Sequence, residues 1–378
     1  MNRLCCKRCV MDTSDGFIEF DKNGVCNYCN DYSRKEILLV PGKHNTSELK
    51  EIVSEIKKKG NGNKYDCIVG ISGGLDSSYL LYYTKQAGLN PLAVHYDCGW
   101  NTEKAVRNIE LLIQKLNIDL YTYVVNWEEF RDVQLSYLKS GVVDLEIPTD
   151  HSFVAALYKT AFKFGMKYIL TGHNFVSEGI MPQNWVSNKG DAANLKHIHR
   201  IYGNVKKLKS FPILTLGEKF FYYNIKGIKN IHLLNYINYN KLQALKALSD
   251  ELRWQSHPNK HGESIWTRFY QCYILPMRFG IDKRKVHLSN LICSGQITRQ
   301  EAIEELKKPI YDERLFKDDK EFILKKFEIT DAQLTSILQL PVKQHKDFKS
   351  DEKIKKIYNN LRSGTAKTKK YLNISSRW

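Results

Sequence analysis

Between residues 65 and 171, short apolar runs alternate with longer segments whose apolar positions recur every three or four residues. Short apolar runs between turn signals are typical of buried strands, and the longer periodicity is typical of amphipathic helices. The predicted strands are 67–71, 91–96, 120–125 and 167–171, and the predicted helices are 79–87, 103–116 and 152–164. This alternation predicts an α/β fold with a doubly wound, mostly parallel sheet that carries helices on both faces.

The chain on either side of this region has a different pattern. Residues 46–59 predict a helix capped by Ser47 or Thr46. Residues 184–217 are polar, basic and poorly periodic, and they predict a substrate loop or lid. We expect four parts: a zinc-ribbon module over 1–35, an α/β domain over 45–217, a mainly helical substrate or partner region over 218–340, and a basic tail over 341–378.

The composition is that of a large globular protein with a strong positive charge. Of its 378 residues, 42% are hydrophobic, and the formal net charge is +17. No apolar run approaches the roughly 18–20 residues that span a bilayer, and the first residues do not resemble a signal peptide, so we expect a cytoplasmic protein with no membrane partner.

Residues 343–370 carry ten basic residues against three acidic ones. This tail predicts a solvated face or a flexible end, and the remaining positive charge suits an enzyme with anionic substrates.

Five of the nine cysteines lie within residues 1–31. Cys6 and Cys9 form one C-x2-C pair, and Cys26 and Cys29 form a second pair after sixteen intervening residues. This spacing is typical of a structural zinc site, in which two knuckles complete a closed tetrahedron of thiolates. A disulfide framework is the alternative, but it does not suit a cytoplasmic protein. Cys5 could replace Cys6, although its spacing to Cys9 is one residue longer.

The first predicted strand runs through a glycine turn directly into a helix. The turn and the helix start read Ser72-Gly73-Gly74-Leu75-Asp76-Ser77-Ser78. A strand, a glycine turn and a helix N-terminus form an anion site, because free amides point outward and the absent side chains admit a phosphate. Asp76 could hold a magnesium ion that neutralises a polyphosphate. The segment lacks both the Walker pattern and the dinucleotide pattern, and an ordinary glycine-rich turn is the alternative.

Polar residues also follow the last predicted strand, at the edge of the sheet where such folds bind ligands. Thr171, Gly172 and His173 come directly after it, and Glu178 follows. His173 could act in the site or only shape the loop. Asp150 precedes the helix at 152–164 and is predicted as its N-cap, although it could also line the site.

Basic residues in the second half of the chain are candidate ligands for an anionic substrate. Arg200, Lys206 and Lys207 lie in the irregular polar segment, where a solvated loop is the alternative. Arg268 and Arg278 lie in an apolar, aromatic stretch, and a cation in such surroundings usually has an anionic partner.

These motifs together resemble known enzymes. The glycine turn is similar to the pyrophosphate loop of the ATP pyrophosphatases, the PP-loop superfamily that includes NAD, GMP and asparagine synthetases and tRNA-thiolating enzymes. With the cysteine-rich opening and two later segments, the chain resembles the N-acetyl sugar amidotransferases of bacterial O-antigen and flagellin-glycan synthesis over about residues 4–310. The later segments are Thr267-Arg268-Phe269-Tyr270-Gln271 and His287-Leu288-Ser289-Asn290-Leu291-Ile292-Cys293-Ser294-Gly295-Gln296-Ile297-Thr298-Arg299.

This resemblance implies an enzyme that uses ATP and Mg²⁺ and holds a structural Zn²⁺. The family converts the acetamido group of a sugar to an acetamidino group, and the substrate would be an N-acetylated nucleotide sugar or a nonulosonic acid. The paired aspartates that follow the histidine in related ATP pyrophosphatases are absent here, which leaves Glu178 as the candidate second magnesium ligand. From this resemblance and the residue patterns above, the expected site residues are Ser72, Gly73, Gly74, Asp76, Ser77, Ser78, Tyr96 and Gly172 for ATP, Asp76, His173 and Glu178 for catalysis, and Arg200, Arg268 and Arg278 for the sugar.

The nitrogen for this reaction is expected to come from outside the chain. The sequence shows no glutaminase motif, and the resemblance implies separate glutaminase and cyclase-like subunits that deliver ammonia.

A tRNA-thiolating enzyme is the main alternative, and it would need a sulfur-carrying cysteine such as Cys98 or Cys272. In a third reading the zinc ribbon and the basic tail bind nucleic acid beside an inactive loop. Because Asp76 and the loop serines are intact, we do not expect a nucleic-acid partner.

Overall fold

The computed structural model describes residues 3–41, 47–257 and 260–356, and its centre is a five-stranded sheet. The strands are β1 (Cys67–Ile71), β2 (Pro91–Asp97), β3 (Leu120–Val124), β4 (Tyr168–Leu170) and β5 (Lys229–Ile231). All neighbouring strands are parallel, in the order β3-β2-β1-β4-β5. The prediction of an α/β fold with a parallel sheet is confirmed.

Helices make up most of the remaining described structure. Those up to β5 are α1 (Asn27–Leu39), α2 (Ser47–Gly60), α3 (Leu75–Gln86), α4 (Glu103–Leu116), α5 (Trp127–Ser140), α6 (Ile147–Lys163), α7 (Phe175–Glu178), α8 (Ala192–Tyr202) and α9 (Leu216–Phe220). Those after β5 are α10 (Lys241–Leu252), α11 (Ile265–Phe269), α12 (Leu275–Phe279), α13 (Arg284–Cys293), α14 (Arg299–Lys307), α15 (Glu313–Phe327) and α16 (Asp331–Leu338). A π-helical turn, Tyr270–Ile274, joins α11 to α12. Every helix among the described residues is too short or too polar to cross a membrane.

The sheet has a hydrophobic core on each face. Successive side chains of a strand point to opposite faces, and in β1 Ile68 joins one buried cluster whereas Val69 and Ile71 join the other. Helix α6 supplies much of the first cluster, and α3 packs in the second. The two layers of helices fix the sheet in place, so the loops at the carboxyl ends of its strands have a rigid support.

The strand order reverses its direction at β1. The chain passes from β1 to β2 and β3 on one side, and then to β4 and β5 on the other. At such a switch point the loops after the two central strands separate, and they leave a crevice that binds ligands in open α/β sheets. The crevice here lies between the segments that follow β1 and β4.

Several predicted element boundaries were wrong. Helix α6 begins at Ile147 with Glu146 at its N-cap, so Asp150 lies in the first turn and is not the cap. The segment 184–217 contains helix α8, whose N-cap Asp191 accepts a hydrogen bond from the amide of Asn194. The basic residues of α8 obscured, in the sequence pattern, the apolar positions that form the buried face of this helix. Strand β5 lies in the region expected to be helical, and three residues are too few to give a periodic signal. Thr46, a candidate cap of α2, lies outside the described residues.

The helical region after β5 packs against the sheet domain through large aromatic side chains. Trp100, which follows β2, lies 5.9 Å from Trp266 of α11 and 5.3 Å from Phe327 of α15, measured between ring centroids. Both tryptophans and the phenylalanine are fully buried. Burial of rings of this size contributes a large part of the stability of an interface, so the two regions share one core.

The first part of the predicted tail packs onto the domain. His345 and Ser350 bond to the buried carboxylate of Asp191, and Phe348 is buried. Residues 341–356 are therefore not a flexible end, but five of their six lysines are exposed, as expected of a solvated face. Residues 357–378, with the rest of the basic tail, lie outside the described residues.

Candidate functional site

Four cysteines near the start of the chain form a buried cluster. The sulfur atoms of Cys6, Cys9, Cys26 and Cys29 lie within 4.8 Å of one another, with 4.0 Å between Cys6 and Cys29 and 3.7 Å between Cys9 and Cys26. A tetrahedral zinc site with Zn–S bonds of about 2.3 Å has sulfur–sulfur edges of roughly 3.8 Å. The cluster therefore fits a zinc ion, and all nine cysteines are free thiols. Cys5 is exposed and lies outside the cluster.

The cysteine module is attached to the helical region after β5. The Arg299 guanidinium donates to the carbonyls of Cys6 and Cys9, at 3.3 and 3.0 Å. A fifth cysteine, Cys293 of α13, has its sulfur 3.6 Å from that of Cys29. A closed four-thiolate site has no position for a substrate, so the module stabilises the contact between the chain start and α13–α14.

The turn after β1 has the geometry of an anion-binding loop. Gly73 has φ +80°, and a Cβ there would lie 2.4 Å from the carbonyl oxygen of Ala105, so only glycine fits. Gly74 caps α3 without a side-chain hydrogen bond. The first amides of a helix have no backbone acceptor, and they lie at the positive end of the helix dipole.

The loop serines have different environments. The Ser77 hydroxyl contacts the Ser72 amide at 3.1 Å and donates to the Gly74 carbonyl at 3.3 Å, so it shapes the turn. Ser78 is fully buried and accepts from the indole of Trp254 at 3.1 Å. Ser72 remains half-buried at the crevice.

The loop after β4 lies against the start of α3. A Cβ on Gly172 would lie 2.8 Å from the amide nitrogen of Ser77, so this approach requires glycine. The contact brings His173 and Glu178 beside the glycine loop, and their side chains are joined at 2.5 Å between Nδ1 and Oε2.

Lys260 connects the candidate acidic residues. Its ammonium group lies 3.1 Å from Glu178 and 3.6 Å from Asp76, and it donates to the Ser177 hydroxyl at 2.9 Å. Asp76 also accepts from the Tyr239 hydroxyl. The structure thus brings together three residues that the sequence singled out and adds a lysine that sequence reasoning missed. Lys260 follows α10, far along the chain from the loop, and no local motif marks it.

The charges in this cluster stabilise one another. Burial opposes ionisation of Glu178, but Lys260 and His173 outweigh it and hold the pKa of that carboxyl well below its usual range. Burial also lowers the pKa of Lys260, and the Glu178 and Asp76 carboxylates raise it by more. For His173, burial is again outweighed by Glu178, which raises the pKa of the imidazole. At neutral pH the cluster therefore contains ionised Glu178 and a charged lysine.

Glu263 is a second residue that the sequence did not reveal. Its carboxylate accepts from the Ser72 hydroxyl at 3.1 Å, and a Cβ on Gly74 would lie 2.4 Å from the same oxygen. Burial and the nearby charge of Asp76 raise the pKa of Glu263. An acidic side chain therefore lies directly over the loop that is built for an anion.

Two other candidate residues bond to side chains of the protein. Tyr96 is buried and donates to the Ser152 hydroxyl at 2.6 Å. Asp150 pairs with Lys189, which lies 3.7 Å from Asp144. These contacts lie beside the crevice, and Asp150 raises the pKa of His173 as a minor contribution.

The three candidate arginines have different surroundings and do not converge on a single site. Arg268 forms two hydrogen bonds to the buried Asp319, at 2.6 and 2.7 Å. Arg278 donates to the carbonyls of Leu138 and Leu340. Arg200 is exposed on α8.

A family model matches the end of the chain. Residues 263–362 match the C-terminal domain of the WbpG-like LPS biosynthesis proteins. The chain is also 25% identical over 283 residues to an uncharacterized protein of Methanocaldococcus jannaschii, which covers 72% of this chain and 82% of that protein.

Two solved structures are similar at low scores. The NMN synthetase of Francisella tularensis has 15% identity and a TM-score of 0.29, covering 49% of this chain and 72% of that one. The NH3-dependent NAD synthetase of Campylobacter jejuni subsp. jejuni, in complex with the nitrate ion, has 17% identity and a TM-score of 0.29, covering 60% of this chain and 96% of that one. The match of residues 263–362 to the WbpG-like domain confirms the family resemblance that the sequence motifs predicted.

Proposed function

We propose that the protein is an ATP-dependent amidotransferase that converts the acetamido group of an N-acetylated sugar to an acetamidino group. The single observation that carries this proposal is the charged cluster of Asp76, Lys260, Glu178 and His173 beside the glycine loop at the start of α3. The match of the C-terminal region to an LPS biosynthesis domain supports a sugar substrate.

The reaction needs two steps, because an amide oxygen is a poor leaving group. In the first, the acetamido oxygen attacks the α-phosphorus of ATP, and pyrophosphate leaves. In the second, ammonia attacks the resulting imidate carbon, the C–O bond breaks, AMP leaves, and the ammonia nitrogen loses a proton. The product is an amidinium group.

The loop amides and Lys260 would stabilise the negative charge that grows on the departing pyrophosphate. Asp76 and Glu178 offer the carboxylate oxygens that Mg²⁺ prefers, and both already contact one cation, the Lys260 ammonium. A bound magnesium ion would neutralise the polyphosphate. His173, hydrogen-bonded to Glu178, would accept the proton that the attacking ammonia loses.

The chain would receive ammonia from a separate glutaminase and cyclase-like assembly. Support for the tRNA-thiolating alternative is weaker, because burial raises the pKa of Cys98 to about 12. A sulfur carrier needs an accessible thiolate. Cys272 is half-buried and lines a pocket of the helical region that Lys260 also lines.

The test is a pyrophosphate-release assay with ATP, magnesium and ammonium chloride against a panel of N-acetylated sugars. We expect AMP, pyrophosphate and a sugar about one mass unit lighter, because an imino group replaces oxygen. Asp76→Asn should abolish all three products, whereas Asp250→Asn, at an exposed position of α10, should retain them. AMP formation that depends on tRNA and on none of the sugars would overturn the proposal.

A further inference from the structure

A pocket of about 290 Å³ lies among α10, the α11–α12 segment, α13 and α14. Its walls carry five cationic side chains against two carboxylates. The cations are Lys241, Lys260, Arg268, Lys283 and Arg284, and the carboxylates are Glu301 and Glu305. An excess of one sign of charge in a concave site attracts a ligand of the other sign.

Some of this charge already has partners, and these pairs form the walls. Arg268 is bound to Asp319, and Arg284 to Asp282. Glu305 pairs with Lys308 at 2.7 Å. The Arg268–Asp319 pair joins α11 to α15, and all three pairs take little part in the field that an incoming ligand would meet.

Lys241 is different. Within residues 3–41, 47–257 and 260–356, no carboxylate lies within 4.0 Å of its ammonium group, and its backbone amide bonds to Gln296. Burial lowers the pKa of Lys241. The Asp76 and Glu305 carboxylates raise the pKa of Lys241 by less than burial lowers it. A half-buried ammonium group that no carboxylate contacts is costly unless a ligand supplies the contact, so Lys241 marks the place where an anionic group fits.

The imidazole of His287 is affected by the same positive field. Burial and the charges of Lys260, Lys283 and Lys241 hold its pKa well below the usual range, so the ring is neutral. Beside these polar groups, Leu288, Leu291, Ile297 and Ile310 form an apolar wall. The pocket therefore combines cations for a charged group with a surface that suits a methyl group.

Lys260 connects this pocket to the candidate active site. It lines the pocket, and the same ammonium group lies 3.1 Å from Glu178 and 3.6 Å from Asp76. We infer that the pocket is the binding site for the sugar substrate and that it selects an N-acetylated monosaccharide unit bearing a carboxylate or a phosphate. This inference rests on the proposed function for the identity of the ligand as a sugar.

The experiment measures binding by titration calorimetry, using the full chain with magnesium and a non-hydrolysable ATP analogue. The probes are N-acetylneuraminic acid for a carboxylate, N-acetylglucosamine 1-phosphate for a phosphate, and neutral N-acetylglucosamine. We expect one anionic probe to bind about tenfold more tightly than the neutral sugar. Lys241→Met should weaken that probe about tenfold, and Lys246→Met, at an exposed position of the same helix, should leave it unchanged.

The outcomes separate this inference from the proposed function. If neither anionic probe binds more tightly than the neutral sugar, or if Lys241→Met binds them as the wild type does, the pocket assignment is wrong even when acetamidino product forms. If Lys241-dependent binding is present but no sugar is converted in the pyrophosphate assay, the proposed function fails and the pocket remains an anionic-sugar site.

Discussion

The ammonium group of Lys260 lies 3.1 Å from the carboxylate of Glu178. Glu178 ends the short helix after β4, whereas Lys260 precedes α11 in the C-terminal half. This pair therefore joins the helical region to the carboxyl edge of the sheet. It also places a cation beside the phosphate loop, where the proposed reaction develops negative charge.

Removal of this cation should slow catalysis. Lys260→Met should lower the rate of AMP formation by about 100-fold, because the departing pyrophosphate loses an electrostatic partner in a site partly shielded from water. The measurement is the steady-state rate of pyrophosphate release, with Lys246→Met as the matched control. A Lys260→Met rate within twofold of the wild type would show that the lysine only neutralises Glu178 and Asp76.

Zinc should stabilise the cysteine module. Cys26→Ser should lose stoichiometric zinc and lower the melting temperature, because a closed thiolate site contributes folding energy directly. Elemental analysis and thermal unfolding measure the two effects, and Cys5→Ser, outside the cluster, serves as the control. Full zinc retention in Cys26→Ser, or equal loss in Cys5→Ser, would exclude the assigned ligands.

The buried carboxyl of Glu146 should make stability depend on pH. Burial and the charge of Asp150 raise its pKa to about 8, and one of its oxygens has no partner among the described residues. The folded state therefore holds a proton that the unfolded chain releases near its ordinary pKa. This contribution of Glu146 to the free energy of unfolding is fully present below the ordinary pKa of a glutamate, and it is lost as the pH rises toward about 8.

Glu146→Gln should remove this dependence. The free energy of unfolding of the variant, relative to that of the wild type, should rise by on the order of 3 kcal/mol between pH 5 and pH 9. The reason is that the amide stays neutral over this range, whereas the wild-type carboxyl ionises. Urea unfolding at several pH values measures it, and Glu110→Gln at an exposed position of α4 controls for loss of charge. Parallel stability curves for the wild type and Glu146→Gln would contradict the prediction.

The buried pair of Arg268 and Asp319 should be structural. Arg268→Met should reduce the free energy of unfolding by about 3–5 kcal/mol, because it leaves a buried carboxylate unpaired. The double variant with Asp319→Asn should recover part of that loss. An Arg268→Met protein with wild-type stability and weakened binding of the anionic sugar probes would instead make Arg268 a substrate ligand.

The sequence by itself determined the features whose residues are neighbours along the chain. The glycine loop, the two cysteine pairs and the strand–helix alternation each depend on contacts within a few residues, and local periodicity and turn chemistry specify such contacts. For the same reason helix α4 was predicted with its observed bounds, Glu103–Leu116.

Only the tertiary structure decided which distant residues meet at the crevice. Lys260 and Glu263 come from a segment well separated from Asp76, and their types carry no local signal of function. Likewise, Arg268 is satisfied by Asp319, a partner that no spacing rule identifies. Long-range contacts depend on how the helices pack against the sheet, and a pattern along the chain describes only the surface that each element presents.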